Sequence, residues 1–317
     1  MRDENDYEDL LADWSDLESG LGIILGNPDS SQQFVPRVLQ YDRWMQGLML
    51  RDPDVGLYLL FQLATNSPVG YSASHALVCA VLCHIMAQEL SLPKAERDSL
   101  VRAALTMNVA MTALQDILAT QVEKPSPLQQ EAIRAHPVKG AMLLGNLGVT
   151  DDNWIEVVSI HHDDAEGAAP AATSGSAARL SHILRVVDRY AAMISPRLSH
   201  AGRSAAESAR SITASNSAQP DDVGHTLVRA VGLSPPGTYV RLDSDELAVV
   251  VRRSDKPNMP FVAIVGKPGG EILHIPRLHP TASSYPRIKG GLPPNAVRTP
   301  LNHYLILQLG TQSAAIN

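Results

Sequence analysis

Apolar residues recur at helical spacing through the first two-thirds of the chain. Leu10, Trp14 and Leu17, then Val38, Tyr41, Met45 and Leu48, fall three and four apart, the spacing that stacks side chains on one face of a helix. Asn27-Pro28-Asp29 separates the two runs as a turn, so residues 1–66 read as an N-terminal helical segment. Asn66-Ser67-Pro68 breaks that pattern, a second run extends from near Tyr71 to about Leu90, and Pro93 opens a third that reaches about residue 120. Ser126, Pro127 and Gln129 form a capping box for the next helix, which is expected to stop or kink at His136-Pro137. Asp151 or Asp152 caps a helix ending near His162. The following AEGAAPAATSGSAA is too poor in large apolar residues to be core and reads as a flexible loop. Leu180, Ile183, Leu184, Val187, Ala191 and Ile194 then make a further buried stripe, after which residues 199–222 turn Ser- and Ala-rich with little pattern.

The period changes after Gly232. TYVRL, ELAVVV and FVAIV are short Val- and Ile-rich segments between Pro, Gly, Asp and Ser clusters, which predicts a small antiparallel β module over 231–276 with Gly269-Gly270 as a hairpin turn. The remainder, 277–317, is rich in proline and reads as an extended tail before the apolar LNHYLILQLG. The expected fold class is therefore mainly α: a 1–66 helical segment, a 67–230 helical bundle, the β module and the tail. A chain of 317 residues exceeds the size at which a single core stops growing, consistent with more than one folding unit.

Charge narrows the function classes. The net charge is −7, with no Lys and Arg cluster of the kind that neutralises phosphates along a duplex, so no nucleic-acid partner is expected. The acidic opening MRDENDYEDL lacks the basic start and apolar run of a signal peptide, and no apolar run approaches membrane-spanning length; a cytoplasmic protein without a membrane partner is expected. Cys79 and Cys83 lie four apart in one helical pattern and read as small buried apolar residues. IVGKPGGE lacks the spacing of a phosphate loop, and no Gly-x-Ser-x-Gly elbow occurs.

The candidate chemistry lies in histidines that the helical pattern turns inward. His161 shares the face of Trp154, Val157 and Val158, with His162 on its flank. His75 opens the stripe His75, Val78, Cys79, Leu82; His136 precedes a proline; Asp188 follows Leu184 by one helical turn. Any one of these histidines taken alone is more often a core residue bonded to a carbonyl. Their order is more specific. His75 in YSASHALV, His136 and Gly140 in HPVKG, the pair His161-His162 in SIHHDD, and Asp188 in RVVDRYAAMISPR resemble the HD-GYP family of cyclic di-GMP phosphodiesterases over about residues 70–200.

That resemblance implies a bacterial signalling protein, a helical bundle around two or three iron or manganese ions, and His75, His136, His161, His162 and Asp188 as metal ligands. The β module looks like the appendage that follows this domain in some relatives. One departure stands out. The family's His-Asp-x-Gly-Lys stretch falls on Met107, Asn108, Val109, Ala110 and Met111, so the bridging carboxylate is replaced by a neutral amide and an imidazole by a thioether. Leu100, Ala104, Met107, Met111, Leu114 and Leu118 read there as one uninterrupted apolar stripe. The Gly-Tyr-Pro signature is also altered, to Ala168-Ala169-Pro170. Three readings follow. In the first, a pseudo-enzyme keeps the fold and binds cyclic di-GMP or another signalling protein. In the second, a working phosphodiesterase uses a reduced site of His136, His161 and His162, with or without Asp188. In the third, the domain is a helical scaffold without a ligand. Accordingly the cofactor is none or a single divalent metal, iron or manganese. The oligomeric state stays open, since the N-terminal helices can pair within or between subunits.

Overall fold

A computed structural model of the chain describes residues 5–30, 33–66, 69–163, 175–198, 202–214, 222–256, 258–297 and 301–314. The helices α1 (Asn5–Gly26), α2 (Phe34–Arg51) and α3 (Pro53–Asn66) form the N-terminal segment and pack onto α4 (Tyr71–Glu89). Helix α4 is buried on all sides from Ser72 to Ala87, which explains why it is apolar around its whole circumference. It is long and apolar enough to cross a membrane, yet 89% of that window is buried inside this fold, as in the core helix of a globular domain. Its N-cap, Gly70, has no side chain to offer; Asp116 supplies the missing acceptor, taking hydrogen bonds from Ser72 N at 2.7 Å and Ser72 Oγ at 3.0 Å.

The third helical run is two helices, α5 (Lys94–Thr106) and α6 (Thr112–Thr120), not one. Residues 107–111 close tight turns, with Val109 N bonded to Thr106 O at 3.0 Å and Met111 N to Asn108 O at 2.8 Å. The turn resets the helical phase. Leu100, Ala104 and Met107 are buried as expected, but Met111, Leu114 and Leu118 are only half-buried, and Thr112 and Gln115 face inward instead. The proposed continuous stripe therefore does not exist.

Helix α7 (Pro127–Asn146) starts at the predicted capping box and passes through Pro137 without ending there. Asp151 caps α8 (Asp152–Ile160) by accepting from Trp154 N at 3.0 Å. Two further helices complete the bundle: α9 (Ser176–Ile194), along the predicted stripe, and α11 (Asp222–Val231). Between them, in the Ser- and Ala-rich stretch with weak periodicity, a second capping box of Ser204 and Glu207 starts α10 (Ala205–Thr213).

Five antiparallel strands follow in the order β4-β3-β2-β1-β5: β1 (Tyr239–Leu242), β2 (Leu247–Arg252), β3 (Phe261–Gly266), β4 (Ile272–Pro280) and β5 (Ile288–Gly291). Alternation along the central strands splits their side chains between two cores. Val249, Val251, Ala263 and Val265 join the helical core, while Val240, Leu242, Ala248, Val250, Val262 and Ile264 form a smaller cluster on the other face. Gly269 and Gly270 turn between β3 and β4 with φ of 96° and 95°, as the hairpin reading requires. The expectation of a free tail from residue 277 is corrected: β4 and β5 extend the sheet past 276, and α12 (His303–Ala314) packs on β2, β3 and β4. Proline is tolerated there because the segment edges the sheet and turns between elements.

The sheet is tied to α3 rather than loosely appended. Gln62 Nε2 donates to Gly237 O at 2.6 Å, and Tyr239 donates back to Gln62 Oε1 at 3.1 Å. Gly237 sits at φ +89°, and a Cβ there would lie 2.6 Å from Tyr58 O, so both the conformation and the close approach require glycine.

Candidate metal centre

Three imidazoles meet where α7 and α8 converge. Pro137 has no N–H, so the carbonyl of Ile133, four residues earlier, loses its helical donor. The Nδ1 of His136 takes that place and donates to Ile133 O at 2.5 Å. His161, the C-cap of α8, uses the same device, donating from Nδ1 to Val158 O at 2.7 Å. Both hydrogen bonds assign the proton to Nδ1 and leave the Nε2 lone pair pointing inward.

Those two Nε2 atoms are 3.2 Å apart. Burial pushes His136 down to about 4 and His161 down to about 3, so near neutral pH both rings are uncharged and neither Nε2 has a proton to share. Two acceptors held face to face are unfavourable unless a cation lies between them. Around a tetrahedral divalent ion, bonds of about 2.1 Å place two nitrogens about 3.4 Å apart, close to the spacing already present. His162 completes the set, its ring centroid 4.2 Å from His161 and 5.2 Å from His136; the donor atoms of all three lie within 4.8 Å of one another. His162 is exposed, giving the cluster a solvent side.

Helices α4 and α9 bring up the second group. His75 Nε2 is 2.8 Å from Asp188 Oδ1. Tyr71, one helical turn before His75, stacks on its ring with centroids 5.3 Å apart, and Arg197 donates to the Tyr71 hydroxyl at 2.6 Å with its guanidinium 4.6 Å from the ring. Burial pushes the Tyr71 phenol up to about 12, so it stays protonated. Burial, the largest single influence, would raise the Asp188 carboxyl, but the hydrogen bond and charge of His75 together with His162 and His161 outweigh it and keep the group below the usual carboxylate range. His161 and His162 also act on Asp188, so the two groups share one electrostatic site.

The remaining wall carries the sequence departure. Met107 is buried at the end of α5, with Asn108 half-buried in the turn beside it and Met111 half-buried as the N-cap of α6. Gly140, one turn beyond His136, lets α7 approach this wall: a Cβ there would lie 3.3 Å from Val158 Cγ1 and 3.7 Å from Met107 O. Trp154 ties α8 to the same place by donating to Thr106 Oγ1 at 2.7 Å. All five predicted ligand positions are thus gathered in two adjoining groups beside the altered turn. Tyr71, Arg197 and Cys79 also contact the site and were not anticipated in it. The Tyr71–His75–Cys79 spacing of four was a readable signal for two of them; Arg197 arrives only through tertiary packing. Ala168-Ala169-Pro170 lie outside the described residues.

The profile of the HD domain family matches residues 59–221, from within α3 to the start of α11. The chain belongs to the HD domain family. Within it, the histidine order marks an HD-GYP-like member, and over 211 residues the chain is 30% identical to a cyclic di-GMP phosphodiesterase of Pseudomonas aeruginosa. That alignment takes in 65% of this HD-domain chain and 49% of the relative, so the chain spans about half the length of the curated relative it matches. No solved structure matches it.

Proposed function

We propose that this HD-domain protein is a cyclic di-GMP signalling protein that acts chiefly by binding, with one divalent ion, iron or manganese, at His136, His161 and His162 and no carboxylate-bridged pair. The name of the Pseudomonas relative supports the ligand class. One observation carries the loss of turnover: Asn108 occupies the position of the bridging carboxylate, and a neutral amide cannot neutralise two cations held close together. The three imidazoles fit a single ion, because their lone pairs converge at nearly the required separation and are free of protons at neutral pH. An ion bound there would act as a Lewis acid toward a phosphoryl oxygen. The protein's own contribution is to hold His136 and His161 in one tautomer through Ile133 O and Val158 O, and to place the Asp188 carboxylate beside them.

The convergence of His136 and His161 also favours a second reading, a slow phosphodiesterase working with that single ion. Manganese content and cyclic di-GMP handling separate the two. Protein purified without chelator is expected to hold one equivalent of iron or manganese, to bind cyclic di-GMP and to leave it uncleaved. Metal-dependent linearisation at an ordinary enzymatic rate would overturn the binding reading, and absence of nucleotide binding would leave the scaffold reading.

A further inference from the structure

We propose that the cleft between the C-terminal end of α11 and the β2–β3 loop is a second ligand site, one that takes a phosphate-sized dianion, either free phosphate or the phosphoryl group of a monoester. A cavity of about 80 Å³ lies there, several times the roughly 10–15 Å³ that one water needs, and so has room for a tetrahedral oxyanion. Its lining comes from α11 and the β2–β3 loop and includes none of the candidate metal ligands.

Charge singles the cleft out. Arg229, Arg253 and Lys256 line it and no carboxylate does; Asp255, the acid of the loop, is outside the lining. Arg253 is already engaged by Asp54 Oδ1 at 2.5 Å and by Ala230 O at 2.7 Å, and Arg252 and Arg253 together balance Asp52 and Asp54. The surplus therefore comes from Arg229 and Lys256. Among the described residues, Arg229 donates to the neutral Thr226 hydroxyl at 3.3 Å and Lys256 has no carboxylate partner. The other lysines of the sheet region, Lys267 and Lys289, are paired with Glu271 and Asp245. Two uncompensated positive charges match a phosphate dianion, and a concave wall focuses their field on it.

The loop is shaped in advance. Ser254 Oγ accepts from Lys256 N at 3.2 Å and donates to Met259 O at 2.8 Å, and Met259 N donates to Lys256 O at 3.2 Å, closing a compact turn. Asn258 holds the left-handed conformation at φ 59°, and its Oδ1 accepts from Leu233 N at 3.4 Å, which ties the loop to the chain leaving α11. That bond leaves the Nδ2 donors of Asn258, with the Ser234 hydroxyl, to meet a ligand in the cleft. The bond from Arg253 to Ala230 O also quenches the negative end of α11, which would otherwise repel an anion.

The test is calorimetric titration of the full chain, stripped of metal and dialysed free of chelator, with inorganic phosphate. Saturable binding with a Kd of about 1 mM or below is expected at physiological salt, weakening as salt rises. Arg229→Gln and Lys256→Gln should each weaken binding about tenfold, the double variant should abolish it, and Lys256→Arg should retain it. Both side chains are exposed, so the variants should keep wild-type thermal stability in the absence of ligand. Glycerol phosphate titrated in parallel separates the two sources: tighter binding than phosphate identifies an ester, equal binding the free ion, and either upholds the site. No saturation with either anion, or saturable binding that survives the double variant, would overturn it. His161→Ala should leave phosphate binding intact, so failure of the nucleotide reading and failure of this site are separately visible.

Discussion

Two buried charged clusters in this protein compensate their charge in different ways. At the seam between the N-terminal helices and the sheet, Asp52 and Asp54 face Arg252 and Arg253 through contacts of 2.5, 3.3 and 2.5 Å. The guanidinium groups have further acceptors in Gly310 O and Ala230 O, and Asp52 also accepts from Asp54 N and Val55 N. In the candidate metal centre, by contrast, Asp188 leans on an imidazole, and the nearby His136 and His161 rings are neutral near pH 7. The seam meets carboxylates with fixed guanidinium groups and is structural; the centre leaves donors facing inward, an arrangement that suits an added cation. Even the seam is not simply stabilising. Burial pushes the Asp54 carboxyl up against the pull of Arg253 and Arg252, so desolvation offsets much of the pairing and the network chiefly specifies how the sheet docks.

The sharpest way to break the contrast is Arg252→Ala. It leaves two buried carboxylates undercompensated and should lower stability by about 3–5 kcal/mol in denaturant unfolding, with or without added metal. A loss below about 1 kcal/mol would mean the seam is not the closed cluster described. Next in size, Met107→His with Asn108→Asp and Met111→Lys returns polar donors to the altered wall. Without metal this variant should lose on the order of 3 kcal/mol, and manganese should restore its thermal stability and raise metal content by one equivalent. No recovery with manganese would show that the wall cannot be rebuilt by these three positions.

Acid should separate the clusters by a comparable or smaller amount. His136 and His161 have folded values of about 4 and about 3 against an ordinary 6.5, so the unfolded chain binds more protons between those limits. Their contribution is complete above pH 6.5 and is lost as pH falls through 6.5 toward 4, by up to about 3 kcal/mol for each ring. Replacing both with Gln should flatten that part of the pH–stability curve, and an unchanged slope would count against neutral buried rings. The smallest expected effect is on turnover: under the proposed binding role, His161→Ala should change the rate of cyclic di-GMP cleavage little. A large metal-dependent drop in that assay would favour the slow-enzyme reading.

Much of this was legible in the sequence because the responsible signals are local. The Ser126 capping box, the α9 stripe and the hairpin glycines all appear where the residues place them. The break between α5 and α6 was hidden because Met111, Leu114 and Leu118 continue the apolar spacing in the sequence, and spacing alone does not reveal a turn that resets the helical phase. Helix α10 was overlooked in a small-residue stretch even though Ser204 and Glu207 carry a capping signal. The strand at 288–291 contains Gly290 and Gly291, which mask strand propensity. In the site, the order of the histidines was readable, but their grouping into a three-imidazole set and a His75–Asp188 pair depends on tertiary placement.

Pro137 has a further consequence. A missing rung in the helix ladder acts here as a bearing for the ring beside it, since the carbonyl it strands is the one that steers His136. Pro137→Ala would supply a rival N–H for Ile133 O, loosen the grip on one tautomer and let the imidazole pivot. A residue with no polar side chain thereby governs which nitrogen the pocket sees.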